Sequence, residues 1–187
     1  MEALLVSIST VAFAEMGDRT QLLSLVLAAK YRKPWPILAG VLLATLANHA
    51  MAGLVGVWFG GRLTAPVLDA TVGVSMLAMA LWTLRPDRLE DGAGIRGRGA
   101  FLATLIAFFI AEIGDKTQVA TVALAAGYSS LTAVVAGTTA GMLAANVPVV
   151  FMGKAFAERL PMKAIHYGAA GLFAVLGSVF IARALMR

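Results

Sequence analysis

A chain of 187 residues is the length of one domain, but 60% of it is hydrophobic, only 13% is charged, and its mean hydropathy is +0.85. A soluble domain carries about 25% charged residues, so this chain lacks the polar side chains to cover a globule, and an integral membrane protein is the class that remains. Cysteine is absent, which excludes disulfides, thiolate metal sites and Cys nucleophiles, and the net charge of +5 is expected to report loop topology rather than a nucleic-acid partner.

Six apolar segments follow in chain order: Ala3–Ala29, Trp35–Gly60, Pro66–Leu84, Ala100–Ala126, Leu131–Gly153 and Ala164–Ala184. Each is expected to be a transmembrane helix, because lipid offers backbone amides no other partner and the runs are too continuously apolar for barrel strands. Met-Glu-Ala puts no basic region before the first segment, so that segment is expected to stay as a helix rather than act as a cleaved signal. The Trp and Tyr residues fall near segment ends, as interfacial aromatic belts do. The whole chain reads as one transmembrane domain.

Within it the sequence repeats. Glu15-Met-Gly-Asp-Arg-Thr-Gln21 aligns with Glu112-Ile-Gly-Asp-Lys-Thr-Gln118, an offset of 97 residues, and nine of the 17 positions in Glu15–Tyr31 are identical to Glu112–Tyr128. The same offset pairs Gly40 with Gly137 and Gly56 with Gly153. Repeat one spans 1–84 and repeat two 100–187, joined by a polar linker over 85–99. Three spans is an odd number, so the second repeat is expected to enter the membrane from the opposite side, giving two inverted-topology three-helix repeats as in many secondary transporters.

Orientation follows from Lys and Arg. Lys30, Arg32, Lys33, Arg85, Arg88, Arg96, Arg98, Lys154, Arg159 and Lys163 fall on one side, against Arg62, Arg183 and Arg187 on the other. The richer side is expected to be cytoplasmic, which leaves both termini outside if the membrane is a bacterial inner membrane.

The chemistry sits in the duplicated motif. Of ten acids, Glu15, Asp18, Glu112 and Asp115 are expected deep in the bilayer, with Arg19 and Lys116 as charge partners. A charge at mid-bilayer costs about 2.5–3.5 kcal/mol on insertion scales, so such residues mark ion or proton sites by default. Four acids and two bases sum to −4 + 2 = −2, the charge that balances one divalent cation or two protons. The glycine between the acids allows local unwinding, and Thr20, Thr117, Gln21, Gln118, Asn48 and Asn146 add oxygens that would either ligate a cation or join helices by hydrogen bonds. Oxygen donors suit Mn²⁺, Ca²⁺ or Mg²⁺. No His lies beside either motif in sequence, which argues against Zn or Cu. His49, aligned with Asn146, reads either as a proton carrier or as a packing histidine, and His166 is the one other histidine. Structural ion pairing alone would leave two acids without a base. Gly53, Gly56, Gly60, Gly137 and Gly141 are expected to be close-packing positions without chemistry.

This doubled Glu-x-Gly-Asp-(Lys/Arg)-Thr motif resembles that of uncharacterised protein family 0016, the GDT family of calcium/manganese–proton antiporters. The resemblance covers the whole chain and implies that Glu15, Asp18, Glu112 and Asp115 bind a transported Mn²⁺ or Ca²⁺ exchanged for protons, with no enzyme activity and no resident cofactor. The other readings are an exporter of small cationic metabolites and a membrane scaffold whose ion pairs only hold helices together. A homo-oligomer is compatible with either and is left open.

Overall fold

The computed structural model describes residues 1–84, 99–153 and 162–187. Among them the secondary structure is entirely helical. The first half contains α1 (Glu2–Glu15), α2 (Arg19–Tyr31), α3 (Pro34–Gly60) and α4 (Ala65–Thr83), and the second contains α5 (Ala100–Glu112), α6 (Lys116–Gly127), α7 (Leu131–Met152) and α8 (Met162–Met186). Apart from Gly99, which caps α5, the expected linker lies outside the described residues, as do Arg85, Arg88, Arg96, Arg98, Lys154 and Arg159.

Four of the apolar segments are single helices long and apolar enough to cross a membrane: α3, α4, α7 and Lys163–Met186 within α8. Pro at the start of α3 and α4 costs nothing, because the amide proton it lacks has no partner in a first turn. The outward faces stay greasy. Leu54, Val74, Leu81 and Val175 are exposed, as lipid contact requires.

The first and fourth segments depart from the expectation of one helix each. Both are broken, and in the same way. Met16 (φ −62, ψ 118) and Gly17 (φ 79) bring the Asp18 amide back to the Glu15 carbonyl at 3.0 Å. Ile113 (φ −64, ψ 119) and Gly114 (φ 75) bring the Asp115 amide to the Glu112 carbonyl at 3.1 Å. These dihedrals are those of a type II turn, whose third position needs positive φ and so glycine. The resulting half-helices have 14, 13, 13 and 12 residues. At 1.5 Å per residue none alone crosses about 30 Å of hydrocarbon.

The halves interlock. α1 packs on α7, α3 on α5 and α6, and α4 on α8. A Cβ on Gly137 would lie 2.7 Å from the Leu4 carbonyl oxygen and 2.7 Å from Ser7 Cβ. A Cβ on Gly40 would lie 2.9 Å from the Phe101 carbonyl oxygen and 2.8 Å from Thr104 Cβ. Every residue in the second contact is the offset partner of one in the first, so the same helix crossing is built twice with the halves exchanged. Gly53, Gly56 and Gly141 also face backbone or side chains too closely for a Cβ, as the small-residue faces predict. Two buried apolar clusters flank this arrangement, one around Met76, Leu124, Phe173 and Phe180, the other around Leu27, Val41, Phe108 and Met142.

Candidate functional site

Each residue of the motif has a place in the break. Glu15 and Glu112 end the first half-helix, the glycine makes the turn, and Asp18 and Asp115 cap the helix that follows. A carboxylate at a helix N-terminus meets the positive end of the macrodipole, and the Asp115 side chain accepts the Lys116 amide proton at 2.7 Å. Three residues on, the glutamine reaches back. Gln21 Oε1 accepts the Gly17 N–H at 2.8 Å, and Gln118 Oε1 accepts the Gly114 N–H at 2.7 Å. A glutamine in the first turn thus satisfies an amide that the break would otherwise orphan, in the manner of a capping box. Gln21 Nε2 also donates to the Ala145 carbonyl at 2.9 Å.

The two breaks meet across the halves. Lys116 pairs with Asp18. Arg19 pairs with Asp115 at 3.5 Å. Asp18 and Asp115 are offset partners, and so are Arg19 and Lys116, so each half supplies the base for the other half's acid. The symmetry is imperfect in exposure: the Arg19 side chain is 34% exposed and that of Lys116 4%. Glu15 lies within electrostatic reach of Asp18, Glu112, Asp115 and Lys116. Glu15 and Glu112 are completely buried, and no oxygen of either accepts a hydrogen bond. Thr20 and Thr117 are buried with their hydroxyls unbonded. Among the described residues no three His, Asp or Glu side chains converge as a ready metal cluster.

The asparagines divide. Asn48 Nδ2 donates to the Phe109 carbonyl at 3.1 Å, while its Oδ1 has no partner. Asn146 is fully engaged: its Oδ1 accepts from Ser24 Oγ at 2.6 Å and its Nδ2 donates to the Met142 carbonyl at 3.0 Å.

Two features escape the sequence reading. His49, expected as either a proton carrier or a packing histidine, brings Nε2 from α3 to 3.4 Å from Glu112 Oε2, with both residues fully buried. Only the packing of α3 against α5 creates that contact, although burial of a His in an apolar run was a signal. The second is Asp69, an acid inside the third apolar segment, which is buried and bonds Arg187 at 2.9 Å. It ties the C-terminus to α4 and has no part in the motif. A concavity of about 560 Å³ opens between α2 and α7, lined by Leu25, Arg32, Lys33 and Phe151 among others, and no motif residue borders it.

The chain matches the family described as "Divalent cation/proton antiporter GDT1" over residues 3–91 and 100–187, one stretch in each half. It is 53% identical over 177 residues to a Vibrio cholerae protein described as "Putative manganese exporter", covering 94% of this chain and 88% of that one. It is 28% identical over 176 residues to the "GDT1-like protein sll0615" of Synechocystis, covering 83% and 84% of the two chains. The "GDT1-like protein 1, chloroplastic" of rice is 29% identical over 199 residues, covering 89% of this chain and 58% of that protein. No solved structure matches the chain.

Proposed function

Since this chain belongs to the GDT1 family of divalent cation/proton antiporters, we propose that it exports Mn²⁺, and Ca²⁺ less readily, in exchange for protons at one site built from both motifs. The observation that carries this reading is the reciprocal pairing of the breaks, Asp18 with Lys116 and Arg19 with Asp115, which leaves Glu15 and Glu112 buried without a hydrogen bond. Each motif alone sums to −2 + 1 = −1, too little for a divalent ion, whereas the two together reach −2. Carboxylates bind either metal or proton, and that competition suffices for exchange when access alternates. The glutamines serve the turns, and the four carboxylates, with Thr20, Thr117 and the free Asn48 oxygen, are the ligand set.

In this reading α1–α2 and α5–α6 are two broken spans, making six with α3, α4, α7 and α8, and the halves are inverted repeats. Discontinuous helices at the repeat interface are how many transporters place backbone dipoles at an ion. The basic side faces the cytoplasm of a bacterial inner membrane, and both termini face outward.

Flux through proteoliposomes tests the proposal. An imposed proton gradient should drive Mn²⁺ movement in the opposite direction, with Ca²⁺ slower. Metal flux indifferent to the pH gradient would remove the exchange. A protein that neither moves Mn²⁺ nor is stabilised by it would leave only the scaffold.

A further inference from the structure

We propose that His49 tilts this site toward Mn²⁺ and against Ca²⁺, with its imidazole Nε2 joining Glu112 as a ligand. This rests on the reading of the motifs as a divalent-cation site, and it depends on where the halves differ.

The offset that duplicates the turn, the ion pairs and the glycine crossings pairs His49 with Asn146, Thr121 with Ser24 and Thr45 with Met142. Around Asn146 every polar group is used, because Ser24 donates to it and it donates to Met142. Around His49 the side chains at the offset positions give it no hydrogen bond. Thr121 turns its hydroxyl back to the Thr117 carbonyl of its own helix at 2.7 Å. Thr45 makes no hydrogen bond through its hydroxyl. Both ring nitrogens of His49 are left without a hydrogen bond at zero exposure, and so are both oxygens of Glu112, 3.4 Å away. A histidine buried for packing normally has at least one nitrogen satisfied. Here an imidazole and a carboxylate face each other with their donor atoms unspent, and Asn48 Oδ1, also buried and unbonded, comes from the adjacent residue of α3.

Ca²⁺ and Mg²⁺ are hard ions that take oxygen ligands. Imidazole nitrogen suits first-row transition ions, and Mn²⁺, at the weak end of that series, accepts it alongside carboxylates. One nitrogen among oxygens therefore favours Mn²⁺ over Ca²⁺ without the all-nitrogen or thiolate set that Zn²⁺ or Cu²⁺ prefers. The selectivity belongs to one half of the site, because in the other half the offset position is an asparagine already engaged.

Purified full-length protein, loaded with Mn²⁺ alone, should show ¹⁴N coupling from a directly bound imidazole in pulsed electron paramagnetic resonance. His49→Gln should abolish that coupling, weaken Mn²⁺ binding by at least about 10-fold, and change Ca²⁺ binding much less. His49→Asn, which copies the other half, should do the same. Wild-type protein that binds Mn²⁺ with no nitrogen coupling would overturn the role of His49 and leave the cation site standing. An unchanged Mn²⁺ to Ca²⁺ affinity ratio in both variants would do likewise. Wild-type protein that binds neither ion would overturn the cation site itself, and His49 with it. The wild-type spectrum decides the question even if neither variant folds.

Discussion

Glu15 and Glu112 are fully buried, and no hydrogen bond reaches either carboxylate. Replacing each by glutamine keeps the shape and removes the charge, so Glu15→Gln and Glu112→Gln should reduce metal flux to background while the protein stays folded in the membrane. Flux near wild type in either variant would take that carboxylate out of the mechanism. The bases behave differently. Lys116 is buried against Asp18, and breaking a buried pair leaves an uncompensated charge, at a cost of about 3–5 kcal/mol. Arg19 is one-third exposed, so water takes over part of its task. Lys116→Met should therefore lower thermal stability in detergent far more than Arg19→Met, and equal losses would mean the two pairs are equally shielded. The motif acids were legible because carboxylates in an apolar run stand out. His49 was not, because its meeting with Glu112 depends on how α3 docks on α5, a tertiary fact that no local pattern carries.

The helix break explains the order of residues in the motif. Glutamate ends a helix, glycine takes the positive φ, aspartate caps, and glutamine three places later reaches back to the glycine amide. A Cβ on Gly114 would touch nothing within 4 Å, so substitution there costs backbone strain and no clash. Gly114→Ala should destabilise the folded protein by about 1–2 kcal/mol, and Gly114→Asn by less, because asparagine tolerates this conformation. Chemical denaturation in detergent would measure both. Asparagine as damaging as alanine would point to a cause other than φ. Helix ends were readable from apolar run lengths almost to the residue: Trp35–Gly60 is realised as Pro34–Gly60, and Leu131–Gly153 as Leu131–Met152. The breaks were harder to read because hydropathy is continuous through them. Glycine announced permission to unwind, and only the return of the Asp amide to the Glu carbonyl shows that the permission is used.

Across the whole molecule, the crossing of α1 on α7 and that of α5 on α3 are the same contact written with the halves exchanged. Among the described residues, the contacts that hold the halves together are made by helices of 1–84 and 99–187 and need no covalent join between them. Joining two such halves in one chain raises their effective concentration without adding a contact. Fragments 1–84 and 100–187 produced from two separate genes in one cell should find each other in the membrane and restore metal export, while either fragment alone should not. Failure of the pair, with both fragments inserted, would mean that the covalent join does more than hold the halves near each other. Success would carry a historical meaning. A single half-length chain would already hold the rules for docking on a second copy of itself, so duplication and fusion would have preserved an existing assembly. What fusion added is the freedom for the two copies to differ, and the histidine facing an asparagine across the offset is a difference of that kind.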